Sequence, residues 1–351
     1  MGWKSFSEKV GNWELWPFNL RYLFISPFWL WYCIRSGSFW FFSSSNPTIT
    51  FGGFEGEGKK EMYDLLPTSY YPKTIFVQPD VDFQKLIQLL KETGFHYPFV
   101  VKPDVGMKGL LFRKIDNEEE LKVYHSKNPF VYIIQELVEY PLEVSVFYYR
   151  FPNKEKGVIT GFLKKQPMDV TGNGKNTLWE LIMLHPNAKH RPEEMKIKHA
   201  HFLDKVIPEG ERYILTYAAN LNRGAKFTNL HNEIDEGMIK MFDEISHNAQ
   251  FYYGRYDIKC SSIEDLKQGR NFSILEFNGC GAEPNHVYQS GFSLIDAYKI
   301  ILFHWKVLYQ ISRYNHEKGI PYWPWKKGLK FLREAKRHLR LLEKYDTEIP
   351  V

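Results

Sequence analysis

The 351-residue sequence predicts an α+β fold, on three observations. Strand-like runs come in pairs joined by short polar or glycine-containing links, as in FVVKPDVGMKGLLFRKI (99–115) and FVYIIQELVEYPLEVSVFYYR (130–150). Helical patterns lie between those pairs rather than after every strand, which argues against a regular parallel βαβ series. No fixed-period repeat is visible, and 44% apolar with 25% charged residues suits a globular chain of two or three subdomains.

The opening segment, to about Ser45, stands apart. It holds six of the ten tryptophans, Trp3, Trp13, Trp16, Trp29, Trp31 and Trp40. That many indoles must be covered, either by the rest of the protein or by a membrane interface or lipid-like substrate. Pro27, Arg35 and a Ser-Gly-Ser stretch interrupt the apolar run before it reaches the roughly 20 residues a spanning helix needs. The charged, apolar and small-residue order of a cleaved signal is not seen.

Next, NPTITF reads as strand-like and gives way to glycines, then to a short helix with Lys59 and Lys60 in its first turn. Phe83, Leu86, Ile87, Leu89 and Leu90 set a helical period over 81–93 that stops at Gly94. Further helices are expected over 117–125, 178–184 and 235–250, a return to strand in RYILTYAANLNRGAKFTNL, and a strand pair in YYGRYDIKCSS and NFSILEFNG. Near the end, PYWPWKKGLKFLREAKRHLRLLEKY places Leu332, Ala335, Leu339 and Leu342 on one helix face, with Trp323 and Trp325 before it and many cations elsewhere. Such a helix either docks on the protein or rests on anionic lipid.

The net charge of +5 is spread among both signs, so no nucleic-acid stripe is present. Small anions or an anionic membrane surface match it better. Cys33, Cys260 and Cys280 form neither a CxxC pair nor a disulfide framework. They fit a reducing cytosol.

Several residues carry chemistry by their spacing. Lys102 ends a β-branched strand and precedes the turn Gly106, Met107, Lys108, Gly109, where backbone N–H groups can approach an anion closely. The turn lacks the P-loop pattern. Glu136 and Glu143 flank Leu137 and Val138 in the link between two apolar strands, where carboxylates can accept hydrogen bonds from an amino group and from hydroxyls. Arg255 and Asp257 share one face of a strand by alternation, and Glu276 and Asn278 share one face of the next. Three oxygen-bearing side chains and a guanidinium so placed suit Mg²⁺, with Mn²⁺ as an alternative, and a phosphate.

Taken in order, FVVKPDVGMKG, IIQELVEYPLEV, GRYDIK and ILEFNG resemble the ATP-grasp carboxylate–amine ligases, with D-alanine–D-alanine ligases as the model for the nucleotide half. PMDVTGNGKNTLWELI and IPEGERYILTYAANLNRGAKF are also similar to cyanophycin synthetase and to the ATP-grasp part of fused glutathione synthetases. The resemblance covers about residues 46–295. It implies an ATP-grasp fold of two α+β subdomains clamping ATP, with an atypical aromatic N-terminal segment and a helical C-terminus. The divisions expected are 1–45 (aromatic segment), 46–95 (linker region), 96–143 (small subdomain), 144–298 (catalytic subdomain) and 299–351 (basic helical extension).

Residue by residue, the resemblance implies that Lys102 and Lys59 hold phosphates and that Gly106 to Gly109 form a mobile lid. Glu136 would face the adenine amino group and Glu143 the ribose. Asp257, Glu276 and Asn278 would hold Mg²⁺, with Glu276 bridging two ions. Arg255, Arg223 and Asn220 would meet developing charge on the γ-phosphate and acyl group. The implied reaction phosphorylates a substrate carboxylate with ATP and passes the acyl group to an amine or similar nucleophile. After Asn278 the sequence departs from D-alanine ligases: GCGAEPNH stands there, making Gly281, Glu283 and His286 candidate acceptor-site residues. A phosphotransferase without ligation and a nonenzymatic nucleotide-binding scaffold at a membrane remain alternatives. Partners are therefore expected to be small molecules and not nucleic acid, in the cytoplasm, with a homodimer and attachment to the inner membrane face left open.

Overall fold

Two antiparallel sheets organise the chain, and a cleft opens between them. The computed structural model describes residues 13–216, 219, 221 and 224–349. Its strands are β1 (Thr74–Val77), β2 (Phe99–Pro103), β3 (Arg113–Ile115), β4 (Tyr132–Glu136), β5 (Leu142–Tyr149), β6 (Val158–Gln166), β7 (Asp169–Thr171), β8 (Arg212–Ile214), β9 (Lys226–Asn229), β10 (Tyr253–Cys260) and β11 (Phe272–Asn278). One sheet has the order β1-β4-β2-β3, a larger one β11-β10-β5-β6-β9, and β7 pairs with β8 alone. All pairings are antiparallel. The expected α+β class is thereby met.

The helices are α1 (Phe18–Leu23), α2 (Ser26–Ser36), α3 (Lys59–Tyr63), α4 (Phe83–Glu92), α5 (Glu118–Lys127), α6 (Leu178–Leu184), α7 (Pro192–Lys198), α8 (Glu236–Asn248), α9 (Ile263–Lys267), α10 (Leu294–Glu317) and α11 (Trp325–Glu348). Local chemistry sets several of their starts. Asp82 accepts from the amides of Gln84 and Lys85 at the head of α4, and Thr177 with Glu180 forms a reciprocal capping box on α6. The apolar stripe of α4, through Leu86, Ile87 and Leu90, packs with Val77, Phe99, Val101 and Ile134 of the small sheet. Met238, Phe242 and Ile245 of α8 pack with Val146, Tyr256, Ile258 and Phe277 of the large one.

Three sequence expectations need correction. The stretch around Thr50 is not a strand but a 3₁₀ turn in which Phe51 and Gly52 take positive φ values of 54° and 69°. Asn46 supplies what a ladder would have: its side chain donates to Gly52 O and Tyr253 O and accepts from the amides of Tyr252 and Tyr253. The strands β4 and β5 do not form a hairpin, since each pairs with other neighbours and 137–141 carries the chain from one sheet to the other. Last, among the described residues of 210–230 the strands are the short β8 and β9.

The two ends of the chain share one aromatic core. Trp40 stacks on Trp325 at 5.2 Å, Phe51 lies 4.6 Å from Trp323, and Phe42 stacks on Phe54 at 4.2 Å. Of the early tryptophans, Trp13 is buried, Trp16, Trp29 and Trp40 are partly buried, and Trp31 is exposed; Trp3 lies outside the described residues. Helix α11 continues from this core to the small sheet, where Leu342 is buried and Asp346 pairs with the buried Arg113 at 2.9 Å. Among the described residues, no helix is long and apolar enough to cross a membrane.

Candidate functional site

The pairing of β10 with β11 builds the floor of the cleft. Its register sets Arg255 opposite Asn278 and Asp257 opposite Glu276, with a bulge just after Asp257. Strand alternation therefore delivers all four side chains to one face, and all four line a cleft of about 430 Å³. Arg255 Nη2 lies 3.3 Å from Asp257 Oδ2. Burial alone would raise the Asp257 pKa, but Arg255 and Lys165 outweigh it and hold the carboxyl below its ordinary value.

Lys165 carries no motif, and sequence reasoning missed it. It projects from β6 directly across from Glu143, 2.9 Å from Glu143 Oε1 and 3.5 Å from Asp257 Oδ1. Burial opposes its charge, yet Asp257 and Glu143 keep its pKa above that of a free lysine. Its signal was available only through the pairing of β5 with β6, not through spacing along one strand.

Lys102 enters from the small sheet, facing this floor. Its Nζ donates to Leu275 O at 3.3 Å, and burial lowers its pKa to about 8 against the pull of Glu276 and Glu143. Of the two adjacent lysines, Lys59 is buried in the cleft wall, with Nζ 3.3 Å from Asp104 O. Lys60 turns outward to pair with Asp64. Asp104 fixes this arrangement, since its carboxylate accepts from the amide of Lys60 and its carbonyl from that of Lys59. Glu57, also unflagged by the sequence, lies in the same wall with Oε2 unpartnered. Burial, reinforced by Glu276, raises its pKa to about 7.

Gly106, Met107, Lys108 and Gly109 line the cleft between β2 and β3. Gly109 has φ 68°, a left-handed conformation that glycine takes without strain. Helix α11 closes over this loop, with His338 Nε2 2.8 Å from Val105 O and the amide of Leu111 donating to Asp346 Oδ1. Ala335, His338, Leu339 and Leu342 accordingly form a wall of the cleft.

Glu136, Leu137, Val138 and Glu143 line the far side, where the chain changes sheets. Glu136 is exposed, whereas Glu143 is drawn inward by Lys165. Lys259 donates to Val138 O at 2.7 Å and shapes that corner, and burial lowers its pKa.

GCGAEPNH divides between the cleft and the core. Gly281 and Glu283 line the cleft, but His286 does not: it is buried with its ring 5.5 Å from that of His304. Burial lowers its pKa to about 4. Gly281 is required by close packing, because a Cβ there would lie 1.9 Å from Phe54 O. Glu283 Oε1 accepts from Tyr22 at 2.5 Å and from Tyr288 at 3.2 Å, and Glu283 O accepts from Arg255 Nη1 at 3.4 Å. Arg223 and Asn220 lie outside the described residues.

The donor set at the floor suits a hard cation shared with a phosphate. Asp257 is ion-paired with Arg255 and Lys165, yet its Oδ1 accepts no hydrogen bond, and Asn278 Nδ2 has no partner, so both side chains keep unused polar capacity facing the cleft. Among the described residues no three His, Cys, Asp or Glu side chains form a metal cluster. Two carboxylates and an amide oxygen match Mg²⁺, which keeps positions for water and substrate phosphates.

No family model matches the chain, and no curated protein matches it either. Solved structures do. The chain is similar to D-alanine–D-alanine ligase from Bacillus anthracis, at 13% identity over 75% of this chain and 69% of that one, with a TM-score of 0.41. It is similar also to a bifunctional glutathione synthetase from Pasteurella multocida, at 13% identity, 70% and 35% coverage and a TM-score of 0.36. A third is the ATP-grasp ligase PsnB complexed with minimal precursor, at 12% identity, 70% and 60% coverage and a TM-score of 0.36. The chain thus spans about a third of the glutathione synthetase and three-fifths of PsnB.

Proposed function

We propose that this chain is an ATP- and Mg²⁺-dependent ligase that activates a carboxylate as an acylphosphate and transfers the acyl group to an amine. One observation carries the reading: Lys102 and Lys59 face the Arg255, Asp257, Glu276 and Asn278 face of β10 and β11 across a single cleft.

In this reading Lys102 and Lys59 neutralise the polyphosphate, and the amides of Gly106 to Gly109 cap it. Glu136 and the backbone of Leu137 and Val138 hold the base, with Glu143 toward the sugar. Asp257, Glu276 and Asn278 would hold Mg²⁺, which supplies charge neutralisation at the phosphate oxygens. Arg255, kept charged by Asp257, Glu276 and Glu283 despite its burial, meets the charge that builds as a carboxylate oxygen attacks the γ-phosphorus and ADP departs. An amine nitrogen then attacks the acyl carbon and phosphate leaves, so one ADP and one phosphate appear per bond formed. Helix α11, fixed over the loop, limits access of water to the acylphosphate.

The test is ADP release across a panel of carboxylates, with and without amines. Turnover that requires both an acid and an amine is the expected result. ADP formed with the acid alone, leaving a stable phosphorylated product, would replace ligation by phosphotransfer. No nucleotide binding by wild type would remove the reading.

A further inference from the structure

We propose that the outer face of α1 and α2, together with the start of α11, is a docking surface for an anionic lipid bilayer, on which the protein rests without spanning it. The face is built from side chains that the core does not use. Leu23, Phe24, Phe28, Trp31, Ile34 and Phe39 are each between 50% and 65% exposed, and of the eleven residues of α2 only Cys33 is buried. The opposite flank is firmly held. Trp29 packs on Trp305 at 5.1 Å and Tyr32 stacks on Tyr309 at 4.7 Å, while Tyr22 stacks on Trp305 at 6.0 Å. One side of the segment is anchored and the other presents aromatic and branched groups to the outside, the composition that favours the boundary between headgroups and acyl chains.

Charge selects the occupant. No Asp or Glu occurs between Glu14 and Glu55. Arg35 and Lys306 are exposed on α2 and α10 beside the face. At its far end Trp325 packs 4.9 Å from Phe39 and brings exposed Lys326 alongside, while the ammonium of exposed Lys327 lies 3.8 Å over the Trp323 ring. Among the described residues none of these four cations is in an ion pair. A second copy of the chain meeting this face by two-fold symmetry would set cation against cation, whereas anionic lipid complements it. At a rise of about 1.5 Å per residue α2 is only about half as long as a bilayer's hydrocarbon core is thick, so it lies in the plane of the surface.

The experiment is flotation of the full chain with phosphatidylcholine vesicles, with and without phosphatidylserine, at two salt concentrations and without nucleotide. The surface reading is therefore scored independently of the ligase reading. Expected is binding to the anionic vesicles that weakens with salt, falls at least about tenfold in a Phe24→Ser/Phe28→Ser/Trp31→Ser variant and a few-fold in Lys326→Ser/Lys327→Ser. Leu23→Ser/Ile34→Ser gives an independent check should the triple variant misfold, and thermal unfolding identifies that case. Three results would overturn the proposal: no flotation with anionic vesicles, flotation unchanged in the folded variants, or a vesicle-free dimer that the apolar substitutions dissociate.

Discussion

The floor of the cleft and the parts that enclose it are assembled in different ways. At the floor, Arg255, Asp257, Glu276 and Asn278 come from two adjacent strands, and their convergence follows from alternation and a single antiparallel register. Around it, Glu283, whose carbonyl accepts from Arg255, is held by Tyr22 from the first described helices and by Tyr288, while the roof is α11. Side chains more than two hundred residues apart meet there. A site built from one ladder can be read from spacing; one built from chain ends brought together by a shared aromatic core cannot.

Substitutions can break or sharpen that contrast. Glu276→Gln should remove ADP release by at least about a hundredfold, the cost of losing charge complementarity at a reacting phosphate, while the denaturant midpoint hardly moves. Retained turnover would take the floor out of the chemistry. The roof should respond in the reverse sense. Asp346→Ala leaves the buried Arg113 without its carboxylate and held by backbone carbonyls alone, which is expected to lower unfolding free energy by about 3 kcal/mol, read by denaturant titration, with nucleotide turnover less affected than stability. An effect of similar size, confined to acid, is expected beneath the cleft wall that Gly281 and Glu283 form. His286, held neutral by burial with a pKa of about 4 against 6.5 for a free imidazole, is protonated more readily in the unfolded chain. This contribution to stability is therefore complete above pH 6.5 and is lost as pH falls through 4, by about 3 kcal/mol for a shift of that size. In His286→Asn this slope should flatten, and an unchanged slope would assign the acid sensitivity elsewhere. The smallest signal belongs to Lys102. With burial lowering its pKa to about 8, it should take up a fraction of a proton when ATP binds near pH 9. Calorimetry in buffers of different ionisation enthalpy reads that uptake, and its absence would remove Lys102 from the phosphate contact.

What the sequence disclosed follows the same division. The strand pair bearing the four floor residues and the lysine before the glycine turn rest on local periodicity or short distances along the chain, whereas Lys59 comes from the family resemblance. Lys165 and Glu57 escaped because nothing near them in sequence marks them; each acquires meaning only when β6 pairs with β5 or when the turn before α3 folds over Glu276. His286 was misplaced for a related reason. A polar residue next to a cleft-lining stretch reads as part of it, yet Gly161 leaves room for the ring beneath the sheet, where an added Cβ would come within 2.2 Å of Nδ1. The early tryptophans divided between core and surface, since helical spacing sends Trp29 and Trp31 to different sides.

Helix α11 touches the glycine turn through His338 and the strand after it through Asp346. It is also synthesised after everything it covers. Until it leaves the ribosome, the small sheet lacks Leu342 in its core and the glycine turn has no roof, so a nascent chain would carry both facing halves of the cleft without the element that joins them. Closure of the cleft thus waits on the latest-made of the elements that line it.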